Sequence, residues 1–401
     1  MTKWSSVSVL SLIMALASTH AADISIVKSG APKTPIDISG IIASGGQNAA
    51  TFKLALENDL VKSGWFVIAS PGRGAVVVSG PCQDSGRSIS FSCAVKNTSG
   101  GVFLSKAYDD NVNRARSLAH VVSDDIVMAV KKVKGIASMR IALIGKRSGS
   151  KDLYMCDYDG GNLRSLTSFR TICMAPYWAP DGSAVTYTSF KSGFPEVYKI
   201  DVSARTHQKM SHYPGLSTGG AISPDGSSMA LILSKDGNPE LYVLNMRSSR
   251  LTRLTVTRSV VESSPVWSPD GKEIAFVSNK ARTPQIYTMS RGGGMEKRMS
   301  FVGSENVAPD WGPDGRLTWC SRRGGNYQIV VRQTGGDEVQ ISKESADFED
   351  PSWAPDGRHV VCSKRSGYQG GAGIYMLDTL GDPPVCLTNI AGDWLSPACS
   401  P

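Results

Sequence analysis

Pro265-Val-Trp-Ser-Pro-Asp-Gly271 decides the fold, because the chain writes this segment five times. The other copies are Pro176-Tyr-Trp-Ala-Pro-Asp-Gly182, Gly220-Ala-Ile-Ser-Pro-Asp-Gly226, Pro309-Asp-Trp-Gly-Pro-Asp-Gly315 and Pro351-Ser-Trp-Ala-Pro-Asp-Gly357. The step is about 44 residues, the length of one four-stranded propeller blade. The motif describes a strand that ends in a sharp turn. Pro fixes φ, Asp can bond its own backbone, and Gly accepts a positive φ. A second marker keeps the same phase: Leu153-Tyr154, Val197-Tyr198, Leu241-Tyr242, Ile286-Tyr287, Ile329-Val330 and Ile374-Tyr375. These read as third strands. Segments such as Glu273-Ile-Ala-Phe-Val-Ser278 supply the second, and segments such as Arg250-Leu-Thr-Arg-Leu-Thr255 the outer one.

The two markers differ in number. Six third strands stand against five Pro-Asp-Gly segments, and the missing inner strand is found at the far end of the chain, Ser396-Pro-Ala-Cys-Ser-Pro401. Cys399 takes the Trp slot there, as Ile222 does in one internal copy. The expectation is an all-β six-bladed propeller over residues 138–401, its first blade completed by the C-terminal strand. Closure of that kind removes a free sheet edge.

Residues 23–137 lack the repeat and read as a small α/β domain. Gln47 to Ser63 predicts a helix with Phe52, Ala55, Leu56 and Leu60 on one face and Gly64 as its stop. A second helix is expected from Asn111 or Val112 to Lys134, ended by Gly135. Ile24–Val27, Pro35–Gly40, Trp65–Ile68, Ala75–Val78, Ser88–Val95 and Val102–Ala107 are strand-like. Residues 1–22 read as an export signal: Lys3, an apolar run from Val7 to Ala17, and small residues offering cleavage after Ala21 or Ala22. That run is too short to span a bilayer, and no internal stretch reaches the length of a membrane helix.

The 401 residues include 43 Lys or Arg and 35 Asp or Glu, for a formal charge of +8. The basic residues are scattered rather than clustered, so no nucleic-acid surface is expected. With 41% hydrophobic and 19% charged residues a large core is expected and wholesale disorder is excluded. The eight Cys form no CxxC pair and no metal spacing. Cys82 and Cys93 flank a predicted turn and are the candidate disulfide; most of the others read as small core residues.

One enzyme-like motif occurs, Gly215-Leu-Ser-Thr-Gly219. A nucleophile elbow needs a helix after the Ser, whereas a propeller strand follows here. His120, His207, His212 and His359 are scattered, and no H-E-x-x-H occurs, so no catalytic residue, metal or cofactor is expected. Asp109-Asp110 and Asp124-Asp125 read as helix-start and helix-surface charges.

Two features together carry a family resemblance. One is the Trp-x-Pro-Asp-Gly propeller closed by a Ser-Pro-Ala-x-Ser-Pro C-terminus. The other is the exported domain carrying Leu56-Glu-Asn-Asp-Leu-Val-Lys-Ser-Gly64, Arg116-Ser-Leu-Ala-His-Val-Val-Ser-Asp-Asp-Ile126 and Gly135-Ile-Ala-Ser-Met-Arg-Ile-Ala142. Over essentially the whole mature chain the sequence resembles the TolB family, periplasmic components of Tol-Pal systems. The resemblance implies a monomeric, non-enzymatic scaffold that is not inserted in a membrane. It implies a propeller that binds the peptidoglycan-associated lipoprotein Pal. It also implies an N-terminus that meets TolA, an inner-membrane protein, in support of outer-membrane integrity and invagination during cell division.

The blade geometry then predicts the partner face. Loops from each outer strand into the next inner strand gather at one end of the ring. They carry Ile172-Cys173, Leu216-Ser217-Thr218, Glu262-Ser263, Asn306-Val307, Phe348-Glu349 and Asp393-Trp394. Charge reversal at Glu262 or Glu349 is expected to weaken partner binding without unfolding. In the N-terminal arm, Ile24, Ile26 and Val27 are expected to add as a strand to a partner's sheet edge. The competing reading is an exported propeller enzyme, a polysaccharide lyase or a peptidase-associated module; it needs clustered His, Arg and Glu at the channel mouth or a catalytic domain.

Overall fold

A computed structural model describes residues 30–146, 149–367, 370–388 and 392–401. The export signal and the arm residues Ile24, Ile26 and Val27 lie outside the described residues.

The repeat folds as its period demands. Each Pro-Asp-Gly turn joins an inner strand to a second strand. In each turn the Asp carboxylate accepts the N–H two residues on: Asp181 from Ser183, Asp225 from Ser227, Asp270 from Lys272, Asp314 from Arg316 and Asp356 from Arg358. This is the turn chemistry expected of the motif. The inner strands of blades 2 to 6 are Cys173–Trp178, Ser217–Ile222, Glu262–Trp267, Asn306–Trp311 and Asp347–Trp353. Among the described residues there are six four-stranded sheets, and in one of them Asp393–Cys399 pairs with Arg140–Lys146. The C-terminal strand therefore completes blade 1. The Trp178 indole N–H seals that junction by donating to the Ala398 carbonyl at 2.9 Å. Trp267 repeats the contact one pair of blades later, donating to Ala221 O at 2.9 Å.

A second tie recurs in all six blades. Thr167, Ser211, Thr255, Ser300, Ser342 and Thr388 follow the outer strands. Their hydroxyls accept the N–H of Leu153, Val197, Leu241, Ile286, Ile329 and Ile374 at 2.9–3.1 Å. The donors are the residues that open the third-strand marker. Short outer strands are thus fastened to the blade by a side chain where their own ladder ends.

The N-terminal domain is a five-stranded sheet with two helices. Its elements are β1 (Thr34–Ser44), α1 (Gln47–Lys62), β2 (Phe66–Ile68), β3 (Val76–Asp84), β4 (Ser88–Asn97), β5 (Val102–Asn111) and α2 (Ala115–Lys131), in sheet order β2-β1-β3-β4-β5. Most strands run longer than the sequence pattern predicts. The second helix is shorter at both ends: a 3-10 turn, Val112–Arg114, precedes it, and Lys132 at φ 61° ends it. Gly135 has another role. A Cβ there would meet the Asp124 side chain, which accepts the backbone N–H of Ala137 and Ser138 at 2.8 Å. Asp124 is thus a junction residue rather than a surface charge. Cys82 and Cys93 are buried and unbonded, so the candidate disulfide is absent. They are not cross-strand partners, since Cys82 faces Phe91.

Candidate functional site

A propeller offers two ends. At the turn end, the N-terminal domain sits against blades 1 and 6 and is held by two polar locks. In the first, Asp59 on α1 is buried and accepts the Tyr158 hydroxyl at 2.7 Å, with His120 Nδ1 of α2 at 2.6 Å. Tyr158 belongs to the turn after strand Lys151–Asp157 of blade 1, whose neighbour Asp159 pairs with Arg116 of α2. In the second lock, Arg358 of blade 6 is 3% exposed, lies 4.5 Å from the Trp65 ring centroid and bonds Asp378 at 2.6 Å and Asp382 at 3.3 Å. Gly64 is required there, since a Cβ would stand 2.6 Å from the guanidinium. Lys33, just before β1, also pairs with Asp382 at 2.9 Å. These anchors leave the opposite end, where outer strands lead into inner strands, uncovered by the N-terminal domain.

That open end has a repeated backbone device. Ala175, Ser264, Ala308, Asp350 and Ser396 have φ between 46° and 52°. Each precedes a proline and sits at a shift in the ladder between inner and second strand. Gly219 and Gly220 fill the same place in blade 3, with φ of 85° and 102°. The bulge bends every inner strand alike and re-aims the side chains at the channel mouth. A left-handed residue before proline is an unfavourable local choice, held here by the ring.

Burial divides the predicted rim residues. Ser217, Glu262, Asn306, Phe348 and Trp394 are all buried. They form the layer beneath the face and are out of a partner's reach. Asn306 is engaged internally, donating to Gln285 Oε1 at 2.9 Å and accepting the Trp319 indole N–H at 2.8 Å. Glu262 accepts the Ser278 hydroxyl at 3.2 Å through one oxygen, and the other has no partner. Burial first, then Glu296 and Glu240, push its carboxyl up to about 8. Reversing its charge would bury an ammonium group, so the expectation of a folded protein after that change is corrected for Glu262. Leu216, Thr218, Ser263, Val307, Glu349 and Asp393 are half-buried. Asp393 pairs with Arg365 at 2.9 Å, and Glu349 is raised by burial, then by Asp350 and Asp347. Ser217 of the G-x-S-x-G segment is a strand residue with no exposure.

Sequence reasoning named Ile172 but passed over the other exposed apolar side chains of this end, which lie in the loops leading into those segments, just inside an inner strand for Met174 or, for Phe194, between the second and third strands of blade 2. Phe194, Val256, Val261, Phe301 and Val302 are 47–78% exposed, and Ile172 and Met174 also reach solvent. All lie at the open end. Arg298 stands 5.5 Å and Arg332 5.9 Å from the Phe301 ring centroid. Exposed large apolar groups gathered on one face, with charged neighbours, mark a protein-docking surface. Loop residues without periodicity gave no signal for them.

Comparison with known proteins agrees with this architecture. Residues 128–401 match the family model described as the TolB beta propeller domain. The chain belongs to the TolB family. A Tol-Pal system protein TolB from Legionella pneumophila (strain Philadelphia 1) is 32% identical over 205 residues, covering 45% of this chain and 48% of that protein. A TolB homolog from Chlorobium chlorochromatii is 35% identical over 123 residues, 30% of this chain and 28% of that protein. The chain thus aligns with less than half the length of these curated relatives. The crystal structure of TolB from Acinetobacter baumannii covers 93% of this chain and 98% of its own, with a TM-score of 0.81 at 26% identity. TolB family membership makes the chain a homologue of Tol-Pal system proteins named TolB. Among the described residues no helix is long and apolar enough to cross a membrane.

Proposed function

We propose that this TolB homologue is a non-enzymatic periplasmic scaffold that docks a Pal-type outer-membrane lipoprotein on the open end of its propeller. The observation that carries the reading is the face itself. One end of the ring carries the N-terminal domain, and the other gathers the exposed side chains of Phe194, Val256, Phe301 and Val302. Partner residues fit there as a transient interface, with a few large apolar anchors and a polar rim. The N-terminal arm then reaches a TolA-type inner-membrane protein by strand addition through Ile24, Ile26 and Val27, in service of outer-membrane integrity and invagination during division. Titration calorimetry with the soluble domain of the Pal-type lipoprotein tests the docking face. Phe301→Ser and Phe194→Ser should each weaken binding with an unchanged melting temperature. Wild-type affinity in the double variant would refute the face.

A further inference from the structure

We propose that the cavity at the turn end of the propeller binds an organic ammonium group, with Asp310 as its counter-ion and the inner-strand tryptophans as its wall. The cavity has a volume of about 520 Å³ and is walled by Trp178, Trp267, Trp311 and Trp353, together with prolines of the turns. It meets a smaller cavity of about 240 Å³ at the open end through a waist of Tyr177, Asp310, Ser352 and Ala398. Its volume and largely apolar wall suit a small ligand.

Asp310 is the anomaly. It precedes the Trp slot of blade 5, where the other blades hold Tyr177, Ala221, Val266, Ser352 and Ala398. The blade fold therefore does not require a carboxylate there. Asp310 is the one acidic side chain that lines the cavity, among the described residues. One oxygen accepts the Trp353 backbone N–H at 2.7 Å, and hydrogen bonds from the Trp311 backbone and the Ser352 side chain also favour the ionised form, though burial outweighs all three. Among the described residues no Lys, Arg or His pairs with it. A carboxylate among apolar walls needs a cation to be comfortable when ionised. A hard metal ion wants six or more oxygen ligands, and this wall offers one carboxylate. An alkylated ammonium needs only one charge partner, and its carbon shell suits indole and proline. The indoles already attract cations: Arg140 lies 4.8 Å from the Trp178 ring, Arg291 5.5 Å from Trp267 and Arg316 4.8 Å from Trp353. Trp311, half-buried and next to Asp310, has no such cation over its ring among the described residues.

The remaining titratable groups around the waist set the pH response. Tyr177 and Cys399 are pushed well up by burial and stay neutral below pH 9. Asp350, on the open-end side, is raised by burial, with Lys151 opposing. Lys134 is the one basic side chain lining the cavity and would repel the ligand. Burial holds the Asp310 carboxyl up at about 7, so ionisation by the ligand releases a proton near neutrality. Affinity should therefore tighten about tenfold from pH 6 to pH 8.

The test is calorimetry and tryptophan fluorescence on the full chain with choline chloride and with Nα-acetyl-lysine amide, against sodium chloride at equal ionic strength. Saturable choline binding, weakened at least about tenfold in Asp310→Asn and tightened in Lys134→Ala, supports the site. Binding of the lysine derivative but not choline supports the same site with a partner's lysine as its occupant. No saturable signal beyond sodium chloride for either probe overturns the proposal, as does equal binding by a folded Asp310→Asn variant. Should that variant not fold, an affinity that is flat between pH 6 and 8 and indifferent to Lys134→Ala overturns it instead.

Discussion

Glu262→Gln should make the protein more stable at neutral pH while leaving it almost unchanged in acid. Glu262 is 1% exposed, and one of its oxygens has no hydrogen-bond partner. Burial, Glu296 and Glu240 raise its carboxyl from 4.5 to about 8, against smaller opposing effects of the Ser278 hydrogen bond and Lys280. The folded state thus holds the proton more tightly than the unfolded chain. Below about pH 4.5 both states are protonated and no stability is lost. As pH rises from there towards 8, the unfolded chain ionises freely and the folded state does not, so stability falls. At about 1.4 kcal/mol per pH unit the ceiling is about 5 kcal/mol, and partial relaxation of the site makes ~3 kcal/mol a fair expectation. Gln has the same shape and no charge to lose, so any cost of its extra N–H groups is constant with pH. Urea melts of both proteins between pH 5 and pH 9 measure the difference. The variant's advantage should grow with pH and level off near 8 to 9. A difference that stays flat across that range would refute the assignment of a buried, proton-holding carboxyl at this position.

The other predictions address the ring, the locks and the arm. Removing residues 393–401 takes away a Trp394 side chain that is 1% exposed and the blade 1 ladder. At roughly 3–5 kcal/mol for the indole and about 1 kcal/mol per bond, this is comparable with a whole domain's ~5–15 kcal/mol. The propeller should become protease-sensitive and lose the partner, while the N-terminal domain keeps its own core; an unchanged melt would contradict closure by this strand. Tyr158→Phe removes the propeller's donor to Asp59 and should cost about 1–2 kcal/mol, seen as faster hydrogen exchange in α1 with no loss at the open end. Deleting residues 22–29 should abolish binding to a TolA-type protein with the melting temperature held within about a degree or two. A large drop would mean instead that the arm is docked on its own domain.

The repeat determined most of what the sequence could determine by itself. Proline, aspartate and glycine act on the chain within a few residues, so the turns, the blade count and the C-terminal closure are local or periodic facts. The third strands were legible for the same reason. In the N-terminal domain the helical face of Phe52, Leu56 and Leu60 was legible, whereas strand lengths and the end of α2 were not. Those ends are set by sheet partners and by one left-handed residue, Lys132. The candidate site divides the same way. Its end of the ring follows from blade topology. Which side chains there meet solvent does not, because sheet pairing and neighbouring blades bury Glu262, Asn306, Phe348 and Trp394, whereas Phe301 and Val256 lie in loops beyond the outer strands. Asp59, His120 and Tyr158 lie far apart in the chain, and no spacing announces them. Only packing one domain on another brings a carboxylate, an imidazole and a phenol within hydrogen-bond distance, and only a closed ring gathers the Asp310 carboxyl with the tryptophans of other blades.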